Sequence, residues 1–199
     1  LAQPEVHWKP GCSAMEAALA WEAGLPHEVA ALFRDAALLQ AIVEYPVALP
    51  GGGQPSMTDV FALLSTPQGL IAVMVEAKRD ESFGPTLGEW LRNASAGKIA
   101  RLTCLCDVLG LAPEAVPSEV RYQLLHRAAS ALLTARRYHA RAAMVVQSFS
   151  PEGRWFADYA RFATLMGAQT EKDCMSGCAS ADLQIGWASA PLRSLNPVH

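Results

Sequence analysis

A glutamate and a lysine two residues apart close the most apolar segment of the chain. They are Glu76 and Lys78 in VMVEAK, and the alternation of side chains along a β-strand places both on one face. A third charged residue, Asp59, begins the preceding apolar segment, DVFALLS. The intervening TPQG contains a proline and a glycine that favour a tight reversal, so the two segments are predicted to form a β-hairpin. Two carboxylates and an ammonium group at one end of a hairpin form either a structural ion-pair cluster or a hydrolytic site.

The length of the turn decides whether the aspartate meets the glutamate. With an even loop of two or four residues, the numbers of directly opposed residues sum to 135, and Asp59 faces Glu76. A three-residue loop with Gly69 in a left-handed bulge shifts the register by one and opposes Asp59 to Ala77. Facing carboxylates repel each other, so the first arrangement persists when a cation binds between them or when one of them stays protonated.

The chemistry available to such a cluster is phosphodiester hydrolysis. Mg²⁺ is commonly held by one or two carboxylates and several waters, and a bound Mg²⁺ polarises a phosphoryl oxygen and lowers the pKa of a bound water. Lys78 would position that water or stabilise the developing negative charge. The alternative is a salt bridge in which Lys78 neutralises one carboxylate, although exposed pairs of this kind contribute only about 0–1 kcal/mol.

Composition indicates a single domain over residues 1–199, because 51% of the residues are hydrophobic and no linker-like segment divides the chain. No apolar run reaches the roughly 18 residues that a membrane span requires, and the first residues lack the pattern of a secretion signal. We therefore expect no membrane association and a cytoplasmic location.

The net charge of −3 is unevenly distributed along the chain. Residues 1–90 contain four basic and eleven acidic residues, whereas residues 91–161 contain ten basic and five acidic residues. An acidic site could thus face a basic neighbour, although ordinary solvated helix faces would give the same counts. The candidate phosphate contacts are the arginines of the predicted long helix: Arg121, Arg127, Arg136 and Arg137.

The periodicity of apolar residues predicts an α/β chain with alternating helices and strands. The segments that would form its core are a helix over 26–43, strands over 47–50, 58–65 and 70–78, a helix over 119–138 and a strand over 142–149. Flanking these, we predict a helix over 12–23, helical segments over 86–110, a helix in RWFADYARFATLMG and a last strand in DLQIGWAS. The core order is helix, three strands, helix, strand.

The segment SMTDVFALLSTPQGLIAVMVEAK resembles the D-x(n)-(D/E)-x-K signature of the PD-(D/E)xK, or restriction-endonuclease-like, nuclease superfamily. The residues that match are Asp59, Glu76 and Lys78. The resemblance implies an αβββαβ core with a mixed central sheet flanked by helices. It also implies Mg²⁺ or Mn²⁺ held by Asp59 and Glu76, with the carbonyl group of Ala77 completing the ligands.

Two further residues follow from the resemblance. Members of the superfamily often supply another acidic residue from the first core helix, and Glu44 is the residue that corresponds to it. One branch places a glutamine and, four residues later, a tyrosine on the helix after the third strand; Gln123 matches the glutamine, but Arg127 stands in place of the tyrosine. Apart from the resemblance, His126 lies on the same helix and is either a hydrogen-bonded helix histidine or a general base, with the first reading favoured.

The resemblance implies a nucleic-acid partner, with DNA favoured over RNA, and a metal-dependent nuclease activity. Cleavage of both strands of a duplex would be easiest for a two-fold homodimer. A different class of function is also open, namely a catalytically silent module that keeps the fold and binds nucleic acid or a protein partner.

Overall fold

The computed structural model describes residue 9, residues 12–49 and residues 54–193, and it contains one mixed sheet of six strands in the order β1-β2-β3-β4-β6-β5. The strands are β1 Ala37–Val47, β2 Ser56–Thr66, β3 Gly69–Lys78, β4 Arg141–Ser148, β5 Met175–Gly177 and β6 Leu183–Ser189. The first three strands form an antiparallel meander, whereas β3, β4 and β6 run parallel to one another. The carboxyl ends of these three parallel strands therefore meet at one edge of the sheet, which we call the carboxyl edge.

Helices cover both faces of the sheet, as the sequence predicted. They are α1 Ser13–Glu22, α2 His27–Ala30, α3 Leu87–Leu91, α4 Ala96–Leu109, α5 Tyr122–Tyr138 and α6 Phe156–Leu165, with a 3₁₀ turn at Pro113–Ala115. Successive residues of β3 enter opposite cores: Met74 packs with the core under α4, α5 and α6, whereas Val75 packs with the core under α1 and α2. Within the described part of the chain, no helix has the length and apolar character needed to cross a membrane.

The β2–β3 hairpin has the even loop on which the meeting of Asp59 and Glu76 depends. Thr66 pairs with Gly69, leaving Pro67 and Gln68 as a two-residue loop, and Gly69 has a φ of 107°, which favours glycine. The register continues without a shift to the pair Val60 and Val75. In this register the numbers of directly opposed residues sum to 135, as expected from the sequence for an even loop.

The predicted first core helix and first core strand are wrong. In place of a helix over 26–43, the chain forms the single-turn helix His27–Ala30 and then strand β1 over Ala37–Val47. The predicted strand over 47–50 overlaps this strand only at its last residue. The segment ALLQAIVEYPV has apolar residues at helical spacing, but its pairing with β2 along its whole length overrides that local preference.

Helix α5 connects β3 to β4 and begins at the carboxyl edge. The backbone N–H of Tyr122 donates to the carbonyl of Pro85 at 3.2 Å, which fixes the first turn beside the end of β3. Gln123 and Arg127 are four residues apart on this helix and therefore share one face. That face lies over Glu76, because both side chains contact its carboxylate.

Candidate functional site

The carboxylate of Glu76 is the centre of a buried polar cluster at the carboxyl edge. Its side chain is 1% exposed, and both oxygens accept hydrogen bonds. Oε1 accepts from Lys78 Nζ at 2.8 Å and from Gln123 Nε2 at 2.7 Å. Oε2 contacts Arg127 twice, through Nε at 2.7 Å and Nη2 at 2.6 Å. These four donors occupy all of the roughly four acceptor positions that a carboxylate offers.

Arg127 also belongs to this cluster, but its contact with Glu76 was not predicted from the sequence. Its guanidinium is buried and also donates to Ser56 Oγ, Thr58 Oγ1 and the carbonyl of Met57. It thus joins the start of β2 to Glu76 on β3. The signal available in the sequence was its position four residues after Gln123, which places the two side chains together.

Asp59 lies at the point where β2 separates from β3. The β2–β3 pairing ends at Val60 and Val75, whereas the β1–β2 pairing continues to Val47 and Ser56. Asp59 Oδ2 accepts a hydrogen bond of 2.7 Å from the backbone N–H of Ala77. Ala77 lies beyond the last residue of β3 that pairs with β2, so its N–H has no backbone acceptor on that strand. The Asp59 carboxylate accepts this hydrogen bond instead.

The surroundings of Asp59 and Glu76 shift the pKa values of the two carboxyl groups in opposite directions. Burial and the nearby charge of Glu76 raise the pKa of Asp59 to about 7. Burial alone would raise the pKa of Glu76 as well, but the attraction of Lys78 and Arg127 prevails and lowers it to about 2. The pKa of Lys78 is raised because the two carboxyl groups outweigh the effect of its burial. At neutral pH, therefore, Glu76 is ionised and Lys78 is charged, whereas Asp59 keeps its proton to a higher pH than an ordinary aspartate does.

The predicted helical position of Glu44 is wrong, since this residue lies within β1. It stands between the pairs Val43–Val60 and Tyr45–Thr58 and therefore opposite Asp59 in the register. Its φ of 53° is left-handed, which is unusual for a residue with a Cβ atom inside a strand. No group of three His, Cys, Asp or Glu side chains placed to hold a metal occurs among the described residues, so Glu44 does not complete such a group with Asp59 and Glu76.

The oxygen atoms that could hold a divalent cation here belong to two carboxylates and one backbone carbonyl: Asp59, Glu76 and Ala77. Oδ2 of Asp59 receives the described hydrogen bond from Ala77, so Oδ1 is the oxygen to offer a cation. The carbonyl of Ala77 points to the same side of β3 as its N–H, toward Asp59. Oxygen donors of this kind suit Mg²⁺ or Mn²⁺. Glu76 can join them only if Lys78 or Gln123 releases Oε1, because Arg127 holds Oε2 through two contacts.

His126 is placed beside this cluster but not at its centre. Its Nδ1 lies 2.9 Å from Ser56 Oγ, and its ring lies against that of Tyr122, with ring centroids 5.1 Å apart. Burial and the neighbouring Arg127 charge lower the pKa of His126 to about 3. The imidazole is therefore neutral near pH 7, and its contacts are with Ser56 and Tyr122 rather than with the two carboxyl groups.

The four arginines considered as phosphate contacts have separate environments. Arg121 forms an ion pair of 2.8 Å with Asp158, and Arg127 is buried against Glu76. Arg136 and Arg137 are exposed in the last turn of α5, at the end of the helix remote from Gln123. Only Arg127 among them reaches the candidate site. The sequence also has three consecutive glycines at 51–53, which lack the following Lys-Ser/Thr of a P-loop, and these residues lie outside the part of the chain that the structure describes.

A family model for a domain of unknown function, DUF6946, matches residues 1–192. The chain belongs to the DUF6946 family. The match covers every strand and helix described above, including all the residues of the candidate site. No curated protein and no solved structure matches the chain.

The raised pKa of Asp59 predicts how stability changes with pH. Because the unfolded carboxyl group ionises near 3.8 and the folded group near 7, the native state loses stability as the pH rises from about 4 to 7. Asp59→Asn removes this titration. Urea unfolding should therefore show the variant gaining roughly 1–2 kcal/mol on the wild-type protein between pH 5 and pH 8. A difference in stability that stays constant across this range would contradict the assignment.

Proposed function

We propose that this member of the DUF6946 family is a metal-dependent nuclease that hydrolyses nucleic-acid phosphodiester bonds. The observation that carries the proposal is the hairpin register. A two-residue turn brings Asp59 to the backbone of Ala77, next to Glu76 and Lys78, at the open end of β2 and β3. Stability alone is a weak reason to gather these charges, because burying a carboxylate and its cations costs hydration free energy that their attraction must first offset.

The arrangement of elements supports the restriction-endonuclease-like core as part of the proposal. Helix α1 precedes the three-stranded meander, and α5 then leads to β4, which lies parallel to β3. This is the order helix, three strands, helix, strand that the resemblance implies, although its first helix and first strand occupy different residues from those predicted. The hydrogen bond from the Gln123 amide to Glu76 also supports a place for Gln123 in the proposed site.

Each residue would have a distinct role in the reaction. Asp59 and Glu76, with the carbonyl of Ala77, would hold Mg²⁺ or Mn²⁺, which when bound polarises the phosphoryl group and acidifies a water. Lys78 stays protonated beside Glu76, so it would donate a hydrogen bond to the attacking water or to a phosphoryl oxygen rather than act as a base. Gln123 and Arg127 would orient Glu76, and Arg127 would also keep β2 attached to β3.

The proposal is tested by cleavage assays on labelled single-stranded and duplex DNA and RNA with Mg²⁺, Mn²⁺ or EDTA. We expect cleavage that requires the metal and is lost in Glu76→Gln. The control is Asp107→Asn, which removes a carboxylate from the exposed surface of α4. Metal-dependent cleavage that persists unchanged in Glu76→Gln, or no cleavage of any of the four substrates, would contradict the proposal.

A second candidate function is favoured by the hydrogen bonds that already fill the acceptor positions of Glu76. Two carboxyl groups and two cations can balance one another, and four donors already fill the Glu76 oxygens. A cluster of this kind can serve as a polar clamp between β2, β3 and α5 without any metal, as in a silent module that binds nucleic acid or a protein. Calorimetric titration with Mn²⁺ separates the two: the nuclease requires a binding isotherm that Asp59→Asn weakens, whereas the clamp gives none.

The proposed substrate is DNA rather than RNA, and the proposed assembly is a homodimer rather than a monomer. Each chain supplies one set of Asp59, Glu76 and Lys78, so the two strands of a duplex would be cut most simply by two copies related by a two-fold axis. Light scattering after chromatography, with and without a duplex, measures this directly. A monomer that nicks one strand only would replace this part of the proposal.

A further inference from the structure

Two cations on α4 lie beside the candidate site and are fixed by backbone carbonyl groups. Lys98 Nζ donates to the carbonyl of Trp90 at 2.6 Å, and Arg101 Nη1 donates to the carbonyl of Gln54 at 3.2 Å. Neither cation forms an ion pair with a carboxylate in the part of the chain that the structure describes. They are three residues apart and so occupy neighbouring positions on the same side of the helix.

The guanidinium of Arg101 is partly buried, and hydrogen bonds satisfy only part of it. Its Nη2 atom is inaccessible to solvent and has no hydrogen-bond partner. Withdrawing part of a charged group from water costs free energy, which is normally recovered by an ion pair or by hydrogen bonds. An anion bound at the accessible side of the guanidinium would attract the charge electrostatically, as no carboxylate among the described residues does.

A stacked aromatic pair connects these two cations to the candidate site. The rings of Trp90 and Tyr122 lie 3.9 Å apart at an angle of 10°, and Lys98 Nζ lies 5.2 Å from the centre of the Trp90 ring. Arg101 lies beside Tyr122, because a side-chain hydrogen bond from Arg101 and its charge both oppose the rise that burial causes in the pKa of the tyrosine. Tyr122 in turn precedes Gln123, whose amide holds Glu76. The cations are thus positioned by packed groups at a fixed place near the carboxylates.

We propose that Lys98 and Arg101 bind one phosphate group of a nucleic-acid strand, next to the phosphodiester that the candidate site would hold. The nucleic-acid identity of the ligand rests on the proposed function, whereas the affinity for a phosphate rests on two neighbouring cations that have no carboxylate partner among the described residues. Arginine presents several donors in a plane that matches phosphate oxygens, and lysine adds a point charge. Contacts of this kind position a strand without reading its sequence.

The test is oligonucleotide binding in EDTA, where metal-dependent cleavage cannot occur. Fluorescence anisotropy with a labelled 20-mer of DNA, single-stranded and duplex, is measured from 50 to 200 mM NaCl for the wild-type protein, Arg101→Gln and Lys98→Gln. Arg136→Gln is the matched control, because it removes an exposed arginine near the far end of α5. Thermal unfolding of each variant identifies any that fails to fold, and Lys98→Gln tests the proposal if Arg101→Gln does not.

We expect Arg101→Gln and Lys98→Gln each to weaken binding by about tenfold at 50 mM NaCl and to reduce the slope of log affinity against log salt by about 1. Arg136→Gln should bind within about twofold of the wild-type protein. Equal affinities and slopes for folded Arg101→Gln, Lys98→Gln and Arg136→Gln would overturn the proposal, as would a wild-type protein that binds neither oligonucleotide. Binding that depends on Arg101 without any metal-dependent cleavage would support the phosphate site while rejecting the nuclease.

Discussion

Lys78→Ala is expected to lower the rate of phosphodiester cleavage by about 10²–10³-fold at saturating Mg²⁺, the loss typical of removing one donor to a developing negative charge. The substitution also frees Oε1 of Glu76 from one of its two donors, leaving Gln123 in place. Metal should consequently bind the variant at least as tightly as it binds the wild-type protein. Single-turnover cleavage and Mn²⁺ titration on the same sample measure both effects.

The control for this substitution is Lys172→Ala, which removes an exposed lysine whose ammonium group lies over the ring of Phe156. We expect its cleavage rate to remain within about twofold of the wild-type rate. If Lys78→Ala cleaves as fast as Lys172→Ala, Lys78 has no part in the reaction. Loss of both metal binding and cleavage in Lys78→Ala would instead show that the lysine maintains the structure of the site.

Arg127→Met is expected to lower the free energy of unfolding by about 3–5 kcal/mol, because it removes one of the two cations that contact the buried Glu76 carboxylate. The same substitution removes the guanidinium donors to Ser56 and Thr58 and so weakens the junction between β2 and α5. Urea unfolding at pH 7 measures the change. Arg127→Lys keeps the charge but loses the paired donors, and it should cost less than Arg127→Met.

A double-mutant cycle with Glu76→Gln isolates the contribution of the ion pair itself. Removing the carboxylate charge and the guanidinium together avoids leaving either group buried alone. The double variant should therefore be destabilised by about 1–3 kcal/mol less than the sum of the two single variants. Additive losses would contradict a direct electrostatic coupling between Glu76 and Arg127.

The hairpin could be predicted from the sequence because the residues that determine it are close together in the chain. Pro67 and Gly69 define the turn, and the turn length alone fixes which residues of β2 and β3 face each other. The even loop therefore fixes the pairing as far as Val60 and Val75, one residue before Asp59 and Glu76. The placement of Glu76 and Lys78 on one face of β3 likewise depends only on their spacing in the chain. In the structure their side chains are in contact at 2.8 Å.

The first strand and the role of Arg127 could not be obtained in the same way, because both depend on distant partners. Ala37–Val47 has apolar residues that fit a helix, and only its pairing with β2 makes it a strand. Arg127 stands where the resemblance would place a tyrosine, and its function follows from the approach of α5 to β3. The opening of the β2–β3 pairing at Asp59 is a third feature of this kind, since it depends on β2 following β1.

The central claim is that Asp59 and Glu76 share one divalent cation, and a crystal structure grown with Mn²⁺ at pH 8 tests it most directly. At this pH Asp59 should be ionised, because its pKa is about 7. We predict an anomalous peak in contact with both carboxylates, with Lys78 or Gln123 withdrawn from Oε1 and Arg127 still bound to Oε2. Crystals that contain Mn²⁺ but show no peak there, with all four donors still on Glu76, would contradict the claim.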